Sequence, residues 1–206
     1  AKVIGNETGV SGGGIFVYED GTLDIDHCTV TANTASGSGG GIHAEGALTM
    51  DHCTVGDNST TGDSGGGVYV SGIAEIKGGS IIAHNEAKVS GGGIYAGGGT
   101  LTLVNSTVGG DQDYDGTHST KSKGNKAKSG GGIYAKHCTL TMAQGSVSCN
   151  TATDSGSNVF GGGIYVDEGC TLTMQNDAKV IGNHAKTRGG GVYLRGGVTF
   201  TMKGSS

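Results

Sequence analysis

Seven times in 206 residues the chain writes three glycines followed by Ile or Val, with triplets starting at Gly12, Gly39, Gly65, Gly91, Gly130, Gly161 and Gly189. The steps between them are 27, 26, 26, 39, 31 and 28 residues. A recurring step of this length belongs to stacked repeats, in which each unit buries its apolar face against the next, and not to a globular domain with one central core. One copy, Gly161 to Asn183, carries the whole text: GGGIYVDEGCTLTMQNDAKVIGN. It runs from the triplet through Ile, Tyr, a short turn, an alternating Thr-Leu-Thr-Met phrase and a spacer to Val-x-x-Asn.

Within each copy the apolar residues alternate over short segments, the period of a strand with one buried face, and no window has a helical period. Ile15, Val17, Leu23, Ile25 and Val30 are the expected inward set of the first complete coil; Ile164, Val166, Leu172, Met174 and Val180 are their counterparts in the sixth. Three short strands per copy, separated by glycine-rich or polar corners, predict a three-sided parallel β-helix of about seven coils, one domain over 1–206. Equivalent residues then form columns, about 4.8 Å apart from coil to coil. Asn6, Asn33, Asn58, Asn85, Asn125, Asn150 and Asn183 form one such column. They are expected at a corner where each amide satisfies its neighbours and the backbone turns left-handed.

Composition removes other classes. Forty-five glycines without proline or a strict three-residue period are not collagen, and ordered apolar alternation argues against disorder. A net charge of −5 gives no basic footprint for nucleic acid or an anionic membrane. The longest apolar runs are too short to cross a bilayer, and AKVIGNETGV lacks the regions of a signal peptide. The first six residues repeat Ala178 to Asn183, so the chain begins inside a repeat. It is expected to be a segment of a longer array, with end-to-end self-association as a hazard of open strand edges.

The pairing of Gly-Gly-Gly-Ile/Val-Tyr with a downstream Val-x-x-Asn resembles the GGA(I/L/V) and FxxN repeats of the chlamydial polymorphic membrane proteins and related bacterial surface proteins. Gly stands where that motif has Ala, and Val or Ile where it has Phe. The resemblance covers nearly the whole chain and implies a right-handed β-helix passenger at a cell surface, commonly adhesive, with a host-cell receptor or glycan as partner. The sequence holds no autotransporter barrel.

The copies differ mainly at one corner, read as lying between the Asn position and the next triplet: a long insertion at 109–129 in coil four and a shorter one, Asp154 to Phe160, in coil five. Insertions in solenoids form loops on one edge and often carry function. In the long one, Asp111, Asp113 and Asp115 precede Gly116, an alternation that lets carboxylates converge on calcium. The twelfth position is Ser122 and not the bidentate Glu, so a full EF-hand loop is excluded. Cys28 aligns with Cys53 and Cys138 with Cys170; coil spacing suits a disulfide in each pair, and stacked free thiols suit packing equally. Asp26-His27-Cys28 and Asp51-His52-Cys53 hold zinc ligand types, but strand alternation turns each His away from its Cys.

Two outward columns complete the reading. Phe16, His43, Tyr69, Tyr95, Tyr134, Tyr165 and Tyr193 are expected to form an aromatic ladder, a stabiliser of neighbouring coils whose exposed row also suits binding of sugar or protein. Thr100 and Thr102, Thr139 and Thr141, Thr171 and Thr173, and Thr199 and Thr201 place two rows of threonine on a flat strand. Such rows resemble the Thr-x-Thr faces of β-solenoid antifreeze proteins, which implies ice as an alternative partner; Asp24 and Glu75 break the face in earlier coils. A polysaccharide-degrading β-helix needs carboxylates clustered in one groove. Here Asp24 and Glu75 lie two coils apart, the only arginines are Arg188 and Arg195, and Asp167 with Arg195 reads as a surface ion pair. The expectation is therefore a non-enzymatic, extracellular β-helix of a bacterial surface protein, adhesive or structural, with ice binding and carbohydrate binding or cleavage as alternatives.

Overall fold

The computed structural model describes residues 1–110, 124–156 and 158–204. Three parallel sheets of seven strands each run the length of the molecule. The first, from Ile15–Val17 to Val192–Leu194, follows the glycine triplets and is called the aromatic face. The second, from Thr22–Asp26 to Thr199–Met202, is the threonine face. The third, from Lys2–Ile4 to Lys179–Ile181, is the valine face.

Every strand pairs in register with its equivalent one coil on, as in Leu101↔Leu140↔Leu172 and Val108↔Val147↔Val180. Side chains in a strand alternate sides, so in Thr139–Ala143 Leu140 and Met142 are buried while Thr139 and Thr141 face out. Inward residues of all three faces merge into one core that extends along the axis. The expected inward set is found there: Val17 and Val30 are buried, and Ile15, Leu23 and Ile25 pack against them at the first coil.

The Asn column is a continuous hydrogen-bonded ladder. Each Oδ1 accepts from both the backbone N–H and the side-chain amide of the preceding Asn, at 2.9–3.0 Å from Asn6 to Asn183. The second amide hydrogen goes to a valine-face carbonyl of the coil before, such as Val30 for Asn58. Buried amides are thus satisfied along the column, which is what lets them be buried at all. The left-handed residue is not the Asn, as the sequence suggested, but the one before it: Ala32, Asp57, His84 and Cys149 have φ of 56°, 54°, 62° and 57°. The turn is made there, and the Asn itself, without a positive φ, stacks in the ladder.

Just past every ladder residue but Asn85 a two-residue strand, such as Thr34–Ala35 or Thr151–Ala152, adds a short fourth strip to the coil. Bridges through Glu86 to Ser59 and Lys126 join its two halves. This strip narrows the long insertion. Gly109 closes a valine-face strand, and Lys126–Ala127 is already paired with Thr151–Ala152. The excursion therefore precedes Asn125, on the opposite side of the ladder from the insertion that follows Asn150; counting triplets alone could not separate the two positions.

The triplet that ends each coil needs glycine for three reasons, seen at Gly161. Its φ is +64°, a conformation that side chains disfavour. A Cβ on Gly162 would collide with the carbonyl of His184, and one on Gly163 would lie 2.8 Å from the amide nitrogen of Asn183. Close coil-to-coil approach at this corner thus explains why the third position of the triplet is Gly in this chain.

Candidate functional site

The threonine face holds the clearest surface array. Thr100, Thr139, Thr171 and Thr199 pair in one row and Thr102, Thr141, Thr173 and Thr201 in the next. The rows repeat about 4.8 Å along the axis and stand about 6.6 Å apart along the strand. All eight side chains are exposed or half-exposed. Among the described residues none of the eight hydroxyls makes a side-chain hydrogen bond. Leu101, Leu140 and Leu172 beneath them are fully buried, so the strands that carry the array are fixed from below. The block ends where Ile73 and Glu75 take the equivalent positions, and Glu75 is held by Lys77 at 2.8 Å. Asp24 lies two rungs further on in the same row, paired with Thr49.

The aromatic column is a true stack. Ring centroids lie 4.8, 4.4, 5.1, 5.2 and 4.6 Å apart from Phe16 through His43, Tyr69, Tyr95 and Tyr134 to Tyr165, within 18° of parallel. Faces that would meet a sugar ring are spent on one another, and the column works as a coil-to-coil stabiliser. Burial pushes the phenols of Tyr69, Tyr95, Tyr134 and Tyr165 up. At the next step the order changes: Tyr165 and Tyr193 are tilted by 43°, and Phe160 stacks on Tyr193 at 4.7 Å. Sequence reading missed Phe160. The signal was present, because the residue before the triplet is Ser at five of the seven positions and Phe at this one.

Asp167 and Arg195 meet at 3.2 Å across adjacent coils, as the alignment suggested, but the pair is not an ordinary surface one. Asp167 is 1% exposed. Its Oδ2 accepts from the Tyr134 hydroxyl at 2.5 Å and its Oδ1 from the Glu168 N–H at 2.9 Å. Burial pushes its carboxyl up, but the Tyr134 and Glu168 hydrogen bonds, with Arg195 beside it, outweigh this and hold it below the usual range. The alternation of Ile164–Val166 stops one residue earlier, which is why sequence placed Asp167 outside.

Both aligned cysteine pairs stack as expected and carry thiols. Cys138 and Cys170 have sulfurs 3.7 Å apart, and Cys28 N–H points at Cys53 Sγ at 3.4 Å. The hydrogen bond with Cys170, with burial, pushes the Cys138 thiol up; burial pushes up Cys53. Cys53 is buried while His27 and His52 are exposed, so no His2Cys2 zinc site is assembled. Asp111, Asp113 and Asp115, the calcium candidates, lie outside the described residues. A shallow depression of about 360 Å³ lined by Gln144, Ser146, Asn176, Asp177 and Lys179 sits where the threonine face turns into the valine face, and it offers a single carboxylate.

The family model described as the right-handed β-helix region matches residues 6–206. The chain belongs to the right-handed β-helix family. No curated protein and no solved structure matches it. The family accounts for the handed, three-faced coil on which the threonine array, the aromatic stack and the Asn ladder are mounted.

Proposed function

We propose that this β-helix is a non-enzymatic, extracellular segment of a bacterial surface protein, with a structural role along its axis and an adhesive one on its threonine face. The observation that carries the reading is the array of eight hydroxyls in register without internal partners, on strands anchored by a buried leucine column. A flat lattice of donors, acceptors and methyl groups suits an extended polar ligand such as a cell-surface glycan. The other columns support it by default of availability: the ladder amides are satisfied and the ring faces are stacked. Asp24 and Glu75 stand on two strands of the sheet with Thr49 on the strand between them, a spacing that supports the non-enzymatic reading.

The test is binding of labelled protein to host cells and immobilised glycans, compared with a Thr141→Lys/Thr173→Lys variant. Binding that the variant loses supports adhesion through this face. Incubation with acidic polysaccharides is expected to yield no product, and a product would overturn the non-enzymatic part. The same lattice favours a second reading, ice as the ligand, because its repeat is regular in two directions. Thermal hysteresis and ice shaping, lost in the same variant, would put that reading first.

A further inference from the structure

Where the threonine face turns into the valine face in coils one and two, the chain bends through His27 and His52, both left-handed with φ of 49°. The bend breaks strand alternation, so that Asp26 and His27 both face solvent. The two imidazoles stack at 4.6 Å and 12°. His27 Nδ1 lies 2.6 Å from Asp26 Oδ1, and His52 Nδ1 lies 4.0 Å from that same oxygen and 2.7 Å from Asp51 Oδ1. Ligating atoms of Asp26, His27 and His52 all fall within 4.8 Å of one another.

Three further observations concern Asp51. Its Oδ1 is shielded from solvent and out of line for a hydrogen bond with His52, and it is the one buried side-chain polar atom among the described residues without a hydrogen-bond partner. The position stacked on His52 is Gly78, where a Cβ would collide with that oxygen, so glycine keeps the space open. The nearby cation, Lys77, is committed to Glu75 at 2.8 Å. A buried carboxylate oxygen without a donor is costly unless a cation satisfies it.

We propose that Asp26, His27 and His52, with Asp51 as a further carboxylate, form a binding site for a divalent transition ion of the zinc class. Both imidazoles ligate through Nδ1, the nitrogen that faces the carboxylates, and each gives up its Nδ1 proton or tautomer to do so. Zinc takes imidazole nitrogen and carboxylate oxygen at about 2.0–2.2 Å, so binding requires the two stacked rings to tilt apart until both Nδ1 atoms converge on the ion. Two imidazoles select this class of ion over magnesium and calcium, which prefer oxygen alone. Because the ligands come from successive coils, a bound ion clips coil one to coil two.

The experiment uses the full chain without a polyhistidine tag, titrated with Co2+ by visible absorption and with Zn2+ by calorimetry. One saturable site per chain is expected. Zn2+ affinity is expected to fall at least about tenfold in each of His27→Asn and His52→Asn, and to stay unchanged in His184→Asn, remote from the corner. Asn tolerates the left-handed backbone, and unchanged circular dichroism of the metal-free variants confirms that they fold. Absence of saturable binding, binding indifferent to His27 and His52, or a cobalt–thiolate charge-transfer band that disappears in Cys28→Ser would each overturn the assignment.

Discussion

The Asn ladder and the threonine face come from the same repeat and treat polar groups in opposite ways. In the ladder each buried oxygen accepts two hydrogen bonds and each buried amide donates two, so the column is closed to anything outside it. On the threonine face the backbone is equally well paired but the side-chain hydroxyls are left to solvent. Burial makes a polar column structural, and exposure in the same register makes it available for binding. Substitutions in the two columns should therefore separate stability from recognition.

The largest expected effect is in the ladder. Asn85→Ala strips the acceptor from the Asn58 backbone N–H and side-chain amide, both at 3.0 Å and buried. Leaving these donors unmet is expected to cost about 3 kcal/mol, read as a fall in the denaturant midpoint. Asn6→Ala orphans no donor and is expected to cost under about 1 kcal/mol. Equal losses at the two positions would break the ladder argument.

Next in size is the buried acid behind the aromatic stack. Tyr134→Phe removes the hydroxyl that donates to Asp167 and is expected to cost about 2 kcal/mol at neutral pH. Because Asp167 is held below the ordinary carboxyl value of 3.8, its stabilisation is present above that value and is lost as pH falls through the lower folded one. Acid titration of stability should accordingly be shallower in Tyr134→Phe than in the parent chain. Identical acid profiles would show that Asp167 is not held by this bond.

Much of the fold was legible because columns impose a strict text. The triplet spacing, the Leu and Met alternation of Thr171–Gln175 and the Asn at each corner are all dictated by coil-to-coil contact, and each survives in the structure. What escaped was set by single-residue backbone geometry. His27 points outward beside Asp26 because of its positive φ, so two facing chelators were hidden from an argument based on alternation. Asp167 lies one residue beyond its strand and is drawn inward by Tyr134, a partner 33 residues away. Phe160 replaces a column serine and takes over stacking on Tyr193. Asp167 and Phe160 depend on a neighbour in an adjacent coil rather than on a pattern along the chain.

The smallest expected effect on stability is at the threonine face. Thr141→Lys with Thr173→Lys alters two half-exposed side chains above intact leucines and is expected to shift stability by no more than about 0.5 kcal/mol. The most direct test of the account measures glycan and cell binding together with the melting curve on this one variant. The account predicts a parental melting curve with binding abolished; binding that persists at parental strength, or that is lost only together with the fold, would contradict it.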